Sequence, residues 1–212
     1  MIKIPKIVVF DLDETLGYFT ELGIFYDCLS NYINNNNFMI NNFNNLIDLY
    51  PEFIRPKILN ILKYLIHKKK ENKCYKIMIY TNNQGPKTWS NNIKNYFEYK
   101  LKYKLFDQII SAFKVKGKQI EMCRTTHDKN FDDFIRCTKL PEDVEICFID
   151  DLYHPNMTGN NIYYINVKPY YNRLPFKQMI TRFLNSDMNS IITDNEDFTS
   201  YMLNEFNKYN YL

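Results

Sequence analysis

Two aspartates, Asp11 and Asp13, stand two residues apart in the run Phe10-Asp11-Leu12-Asp13-Glu14-Thr15-Leu16, directly after an apolar stretch at 4–10. A second acidic pair, Asp150-Asp151, ends the apolar stretch 145–149, and Thr81 closes a third at 75–80. Carboxylates this close repel one another, so one would hold a proton unless a cation intervenes. Magnesium relieves that conflict, because it prefers oxygen ligands, takes one or two carboxylates and keeps room for water and a phosphate. An isolated Asp-x-Asp is more often a solvated turn or a helix cap. At the end of a buried strand, answered by a second acidic pair at another, the metal reading is favoured.

Elements must bring these residues together. The short apolar runs 4–10, 75–80, 107–113, 145–149 and 162–167 read as buried strands. Between them lie helical patterns: one opened by Pro56 with Ile58, Leu59, Ile61, Leu62, Leu65 and Ile66, one over 87–103, and a short one over 129–137. Strands alternating with helices predict an α/β fold, a three-layer Rossmann-like parallel sheet covered on both faces. In such open sheets ligands bind at the carboxyl ends of the strands, where Asp11, Asp13, Thr81, Asp150 and Asp151 all fall. The Asn-rich stretch 17–50, with Asn at 34–37, reads as a small cap or flap insertion with little regular structure. Residues 174–212 read as C-terminal helices, and 1–212 as a single domain.

The net charge of +3 is too weak for a dedicated nucleic-acid binder. The densest basic cluster, His67, Lys68, Lys69 and Lys70 with Lys73 and Lys76, reads as a solvated loop. Five cysteines without a C-x-x-C pair, and no signal peptide or membrane-spanning run, predict reduced thiols in the cytoplasm. Cys123 and His127 stand four apart, but no second ligand pair near them supports a zinc site. His127 and His154 read as exposed loop residues, with contact to substrate as the alternative, and Trp89 as core or helix packing, with lining of the entrance as the alternative.

Asp-Leu-Asp-Glu-Thr-Leu at 11–16 resembles the first motif, D-x-D-x-T, of the haloacid-dehalogenase superfamily. Tyr80-Thr81-Asn82 is similar to its second motif, Lys129 to its third, and Ile149-Asp150-Asp151 to its acidic fourth. The likeness runs from about 4 to 168 and leaves the insertion unmatched. Within the superfamily the chain most resembles the phosphatases of the RNA polymerase C-terminal tail (the NLI-interacting-factor-like family), sharing D-L-D-E-T-L and Arg55-Pro56. It departs from them at Asn82, where they have Ala or Ser, and at Leu152-Tyr153, where they have Ser-Pro.

The resemblance implies a magnesium-dependent phosphatase. Asp11 would be a nucleophile forming an aspartyl-phosphate, and Asp13 a general acid and base that also reaches the metal through its carbonyl. Thr81, with Asn82 beside it, would bind a phosphoryl oxygen, and Lys129 would neutralise charge. Asp11, Asp13, Asp150 and Asp151 would form the metal site, with Asp151 the direct ligand among the acidic pair. Lys114, Lys116 and Lys118 remain alternatives to Lys129. The expected partner is a phosphorylated protein, or another macromolecular phosphomonoester such as a nucleic-acid end, reaching an open site; Tyr18, Phe19, Phe25 and Tyr26 either rim it or pack as a satellite core. The same chemistry on a nucleotide or small metabolite, and an inactive interaction module, are the alternatives.

Overall fold

The computed structural model describes residues 4–209. In chain order the elements are β1 (Lys6–Phe10), α1 (Thr20–Ile33), α2 (Asn36–Asp48), α3 (Ile58–Lys70), β2 (Lys76–Tyr80), α4 (Lys87–Leu101), β3 (Gln108–Ile110), β4 (Lys114–Val115), β5 (Lys118–Gln119), α5 (Phe131–Thr138), β6 (Glu145–Asp150), β7 (Ile162–Asn166), α6 (Phe176–Leu184) and α7 (Asn195–Asn207). They fall into two compact units, each made from two stretches of chain: residues up to 17 with 55–170, and 18–54 with 171 onward.

The first unit is α/β. Its five strands form a parallel sheet in the order β3-β2-β1-β6-β7. Side chains alternate between the faces of a strand. Ile7, Val9, Met78, Tyr80, Ile146 and Phe148 enter one core cluster with Phe134 of α5. Ile77 and Ile79, which point the other way, are also fully buried. Both faces of the inner strands are therefore covered, which is compatible with a three-layer Rossmann-like arrangement. The chain leaves β1 to form β2 and β3 on one side, then returns to form β6 on the other. That reversal makes a crevice at the carboxyl end of β1, the place where open α/β sheets bind ligands.

Two local expectations change. The strand predicted over 107–113 stops at Ile110, and the chain then turns into a small antiparallel hairpin, β4–β5, through Lys116 and Gly117, both with positive φ. The basic cluster is largely helix end rather than loop: His67 to Lys70 form the last turn of α3, where cations complement the helix dipole, and Lys69 pairs with Asp107 at 2.6 Å.

The second unit is helical and overturns the expectation of an insertion with little regular structure. Within it α1 and α2 pack together, α1 packs on α7, and α7 on α6. Leu22, Phe25 and Leu29 are buried along α1; Met39, Phe43, Leu46 and Ile47 are buried along α2. Phe25 lies among Tyr50, Phe183 and Phe206, and Phe176 stacks on Phe206 at 3.8 Å between centroids. Tyr18, Phe19 and Phe25 are thus core residues of this unit and not an exposed rim. Two of the asparagines serve helix ends: Asn35 caps α2 by accepting from the Phe38 N–H, and Asn34 takes the left-handed conformation that closes α1. No helix among the described residues is long and apolar enough to cross a membrane.

The thiol expectation also changes. Cys123 and Cys137 form a disulfide, while Cys28, Cys74 and Cys147 are free. No spacing motif announces the pair, because a fold-back of the loop before α5 creates it. Cys123 is accordingly not available for zinc with His127.

That loop is also held by Asp133. Its carboxylate accepts from the Thr125 N–H and hydroxyl at 2.9 Å and pairs with Arg136. Burial alone would raise its pKa, but the Thr125 donors, Asn130 and Arg136 hold it below the ordinary carboxylate value. A carboxyl depressed on folding stabilises above its unfolded pKa, about 3.9, and loses that contribution as pH falls through the lower folded value. Asp133→Asn is expected to cost about 1.5–3 kcal/mol at pH 7. The difference from wild type should shrink towards pH 3, as measured by urea unfolding at both pH values. An equal cost at both would remove the charge from the explanation.

Candidate functional site

The register of the sheet assembles the site. The Asp11 N–H continues the β1–β6 ladder to the Ile149 carbonyl at 2.9 Å, which sets Asp11 beside Asp150. The Thr81 N–H continues the β2–β3 ladder to the Ile110 carbonyl at 3.0 Å. Lys129, just before α5, is 2 % exposed and bridges the two strand ends: its Nζ lies 2.5 Å from Asp11 Oδ1 and 2.6 Å from Asp150 Oδ2. Asp11, Asp150 and Lys129 therefore meet at the carboxyl end of β1, and Thr81 stands at the end of the adjacent β2.

Ligand oxygens of Asp11, Asp150 and Asp151 all lie within 4.8 Å of one another. Three carboxylates against one ammonium leave two negative charges, the complement of a divalent cation. Asp151 fits such an ion best. Its Oδ1 accepts from the Thr15 hydroxyl at 3.1 Å, whereas its Oδ2 is buried with no hydrogen-bond partner. Both oxygens of Asp150 are engaged, by the Leu152 N–H and by Lys129. The donor set is all oxygen, which suits magnesium. The side chain of Asp13 is not one of the three that converge, and it is partly exposed.

The carboxylates titrate unlike free ones. Burial pushes Asp11 up to about 7; Lys129 opposes that rise, and the charges of Asp150 and Asp13 add to it. Burial likewise raises Asp13 and Asp151. Asp150 goes the other way: burial would raise it, but the imidazole of His154 and the ammonium of Lys129 outweigh that. Lys129 is raised, because its two carboxylate partners outweigh the burial that would lower it.

The loop after β1 is fixed from below. Glu14 has positive φ, its N–H bonds the Gly17 carbonyl at 2.7 Å, and Arg55 donates to the carbonyls of Thr15 and Glu14 at 2.6 Å. The loop after β2 is fixed from the side. Thr81 Oγ1 accepts from the Asn83 N–H at 3.0 Å, and Asn83 Nδ2 donates to Asp13 Oδ2 at 2.7 Å. Gly85 completes this turn, donating its N–H to Asn83 Oδ1; a Cβ there would meet that oxygen at 2.8 Å.

Asn82, expected to bind substrate, instead turns its Oδ1 to Arg124 at 2.8 Å, and the neighbouring Asn83 touches Asp13. Nothing in the sequence marks Arg124, Thr15 stands only as part of the first motif, and His154 only as a residue near the fourth. Arg124 is 1 % exposed, and His154 is 9 % exposed with Nε2 3.4 Å from Asp150 Oδ2, so it is not a solvated loop histidine. His127 is exposed as expected. Of the alternative lysines, Lys114 lies over the Phe113 ring, and Lys116 and Lys118 are exposed around the hairpin. None of the three makes the carboxylate contacts of Lys129 among the described ion pairs.

Fold and site together define an α/β protein with a lysine-bridged aspartate cluster at its sheet switch point. Compared with known protein families, curated proteins and solved structures, the chain matches none.

Proposed function

We propose that the chain is a magnesium-dependent phosphohydrolase of the haloacid-dehalogenase type, acting on a phosphomonoester through a phosphorylated Asp11. The observation that carries this reading is the bridge of Lys129 between Asp11 and Asp150, with the unpartnered oxygen of Asp151 beside it. Asp11, Asp150 and Asp151 would hold the ion, with the Asp13 carbonyl as a further donor. Bound magnesium would supply positive charge to the carboxylates and to the phosphoryl group.

The chain's own groups do the rest. Asp11 attacks phosphorus, the bond to the leaving oxygen breaks, and that oxygen takes its proton from Asp13, whose raised pKa suits an acid. Water then attacks the phosphorylated Asp11, Asp13 takes back a proton, and inorganic phosphate leaves with the carboxylate restored. Thr81 Oγ1 already accepts from Asn83, so its own proton is left to donate to a phosphoryl oxygen. Lys129 balances charge on the nucleophile and the group in transfer. The proposed substrate is a phosphorylated Ser or Thr side chain of a protein, as in the RNA polymerase tail phosphatases that the motifs resemble. The proposed setting is the cytoplasm.

The test is hydrolysis of an aryl phosphate by the purified chain, followed by phosphopeptides, nucleotides, sugar phosphates and DNA ends. Turnover should require magnesium, vanish with EDTA and return on adding excess magnesium. Preference for a nucleotide or sugar phosphate would move the substrate class. A folded, magnesium-loaded chain that hydrolyses no phosphomonoester would end the enzyme reading in favour of an interaction module.

A further inference from the structure

Arg124 is among the largest fully buried side chains of the molecule, yet it touches none of the site carboxylates in the described contacts. Its Nη1 donates to the Thr81 carbonyl at 3.3 Å, the Ser111 carbonyl at 2.9 Å and Asn82 Oδ1 at 2.8 Å. Its Nη2 donates to the His127 carbonyl at 2.8 Å, and the guanidinium lies over the Tyr80 ring, 4.8 Å from its centroid. One planar fork therefore ties the loop after β2 to the end of β3 and to the segment leading to Lys129. A lysine would lose one arm of this tie, since its donors sit on a single nitrogen and the His127 carbonyl is reached by the second, Nη2. The loop so held carries Thr81 and Asn83, and Asn83 orients Asp13.

What holds Arg124 in turn is its neighbour. Cys123 is bonded to Cys137 of α5, and its carbonyl accepts from Arg136 Nη1 at 3.3 Å. Both sulfurs belong to half-buried residues, as does that of the free Cys147, whereas Cys28 and Cys74 are buried and burial raises their thiols, Cys28 to about 11. The bonded pair is thus more open to a reductant than Cys28 or Cys74, and it adjoins the buried arginine.

We propose that Arg124 is a positioning residue for the Thr81–Asn83 loop and that the Cys123–Cys137 disulfide is a reversible lock on it. A dithiol reductant opens the lock. One of its thiolates attacks a protein sulfur, the other protein sulfur leaves as thiolate and is protonated, and the second reductant thiol resolves the mixed disulfide. The products are two protein thiols and one oxidised reductant. A disulfide-bearing oxidant runs the same exchange backwards. Closed, the lock holds the arginine fork, the loop and Asp13 in place; open, it lets residue 124 withdraw and the loop loosen. The catalytic consequence rests on the phosphohydrolase reading, while the structural one does not.

The test uses the full chain, oxidised and then treated with dithiothreitol, with free thiols counted before and after. Opening should add two thiols to the three already free. Amide exchange over 81–85 should then quicken by about tenfold or more, as expected for a local opening. With an aryl phosphate, kcat should fall by about tenfold while KM changes little, as expected when positioning rather than binding is lost. Cys137→Ser should behave as reduced protein under both conditions. Arg124→Lys should show fast exchange in both states, so that redox treatment no longer matters; a purely structural arginine would leave the redox response intact. Five free thiols before reduction, a pair that no dithiol opens, or unchanged exchange at 81–85 after two thiols appear would each overturn the lock. If exchange responds as stated but the oxidised chain hydrolyses no phosphomonoester, the lock stands and the hydrolase reading falls.

Discussion

Asp11→Asn, folded and supplied with magnesium, is expected to hydrolyse an aryl phosphate more slowly than wild type by a factor on the order of 10⁴ or more. The substitution preserves shape and removes only the charge and the nucleophilic oxygen. Lys129 keeps Asp150 at 2.6 Å, so its buried ammonium is not left without a partner. A loss of folding is therefore not the expected cause, and a thermal melt checks that. The size of the effect follows from the role. An amide oxygen does not displace the leaving group from phosphorus, so what survives is whatever the remaining groups do for direct attack by water. Activity within about tenfold of wild type would place the nucleophile elsewhere.

Lys129→Ala carries the second large effect, an expected loss in kcat on the order of 10²–10³, the scale of removing one preorganised electrostatic donor. The variant differs from the first in what it does to the fold. Removing the ammonium leaves Asp11 and Asp150 facing each other in a buried place, and breaking a buried pair costs roughly 3–5 kcal/mol. Added magnesium should recover part of this, so the melt is measured with and without it. Lys118→Ala, at an exposed position on the small hairpin, is the control and should stay within about twofold of wild type in both measurements. Equal activity of Lys129→Ala and wild type would hand the charge-balancing role to another lysine.

Much of the sheet was legible because buried parallel strands are short apolar runs with abrupt ends. The residues at those ends are gathered by topology alone, which is how the sequence places Asp11, Thr81 and Asp150 on one side of the sheet. The second unit was hidden by composition. Asparagine is a poor helix former, and its density at 34–37 and 41–45 outweighed an apolar spacing that was there to be read: Leu22, Phe25 and Leu29, then Met39, Phe43 and Leu46. Tertiary packing overrides that local preference: α2 packs on α1, and α1 packs on α7, which lies more than a hundred residues away. Arg124 was invisible for a different reason. Nothing local marks a basic residue as buried, since its acceptors are backbone carbonyls at 81, 111 and 127. Asn83 was missed by one position: the motif drew the eye to Asn82, and only the turn closed by Gly85 shows which amide faces Asp13.

The interleaving of the two units also sets an order on synthesis. Helices α1 and α2 leave the ribosome well before Phe183 and Phe206, which close around Phe25. All of 55–170 is translated in the interval, and at common elongation rates that takes on the order of ten seconds. For that time the nascent chain carries the apolar face of α1 without those partners. The sheet closes sooner, because β7 is complete before α6 begins. Co-translational folding can therefore finish the sheet unit first, and the waiting helices are the segment that a ribosome-associated chaperone would meet.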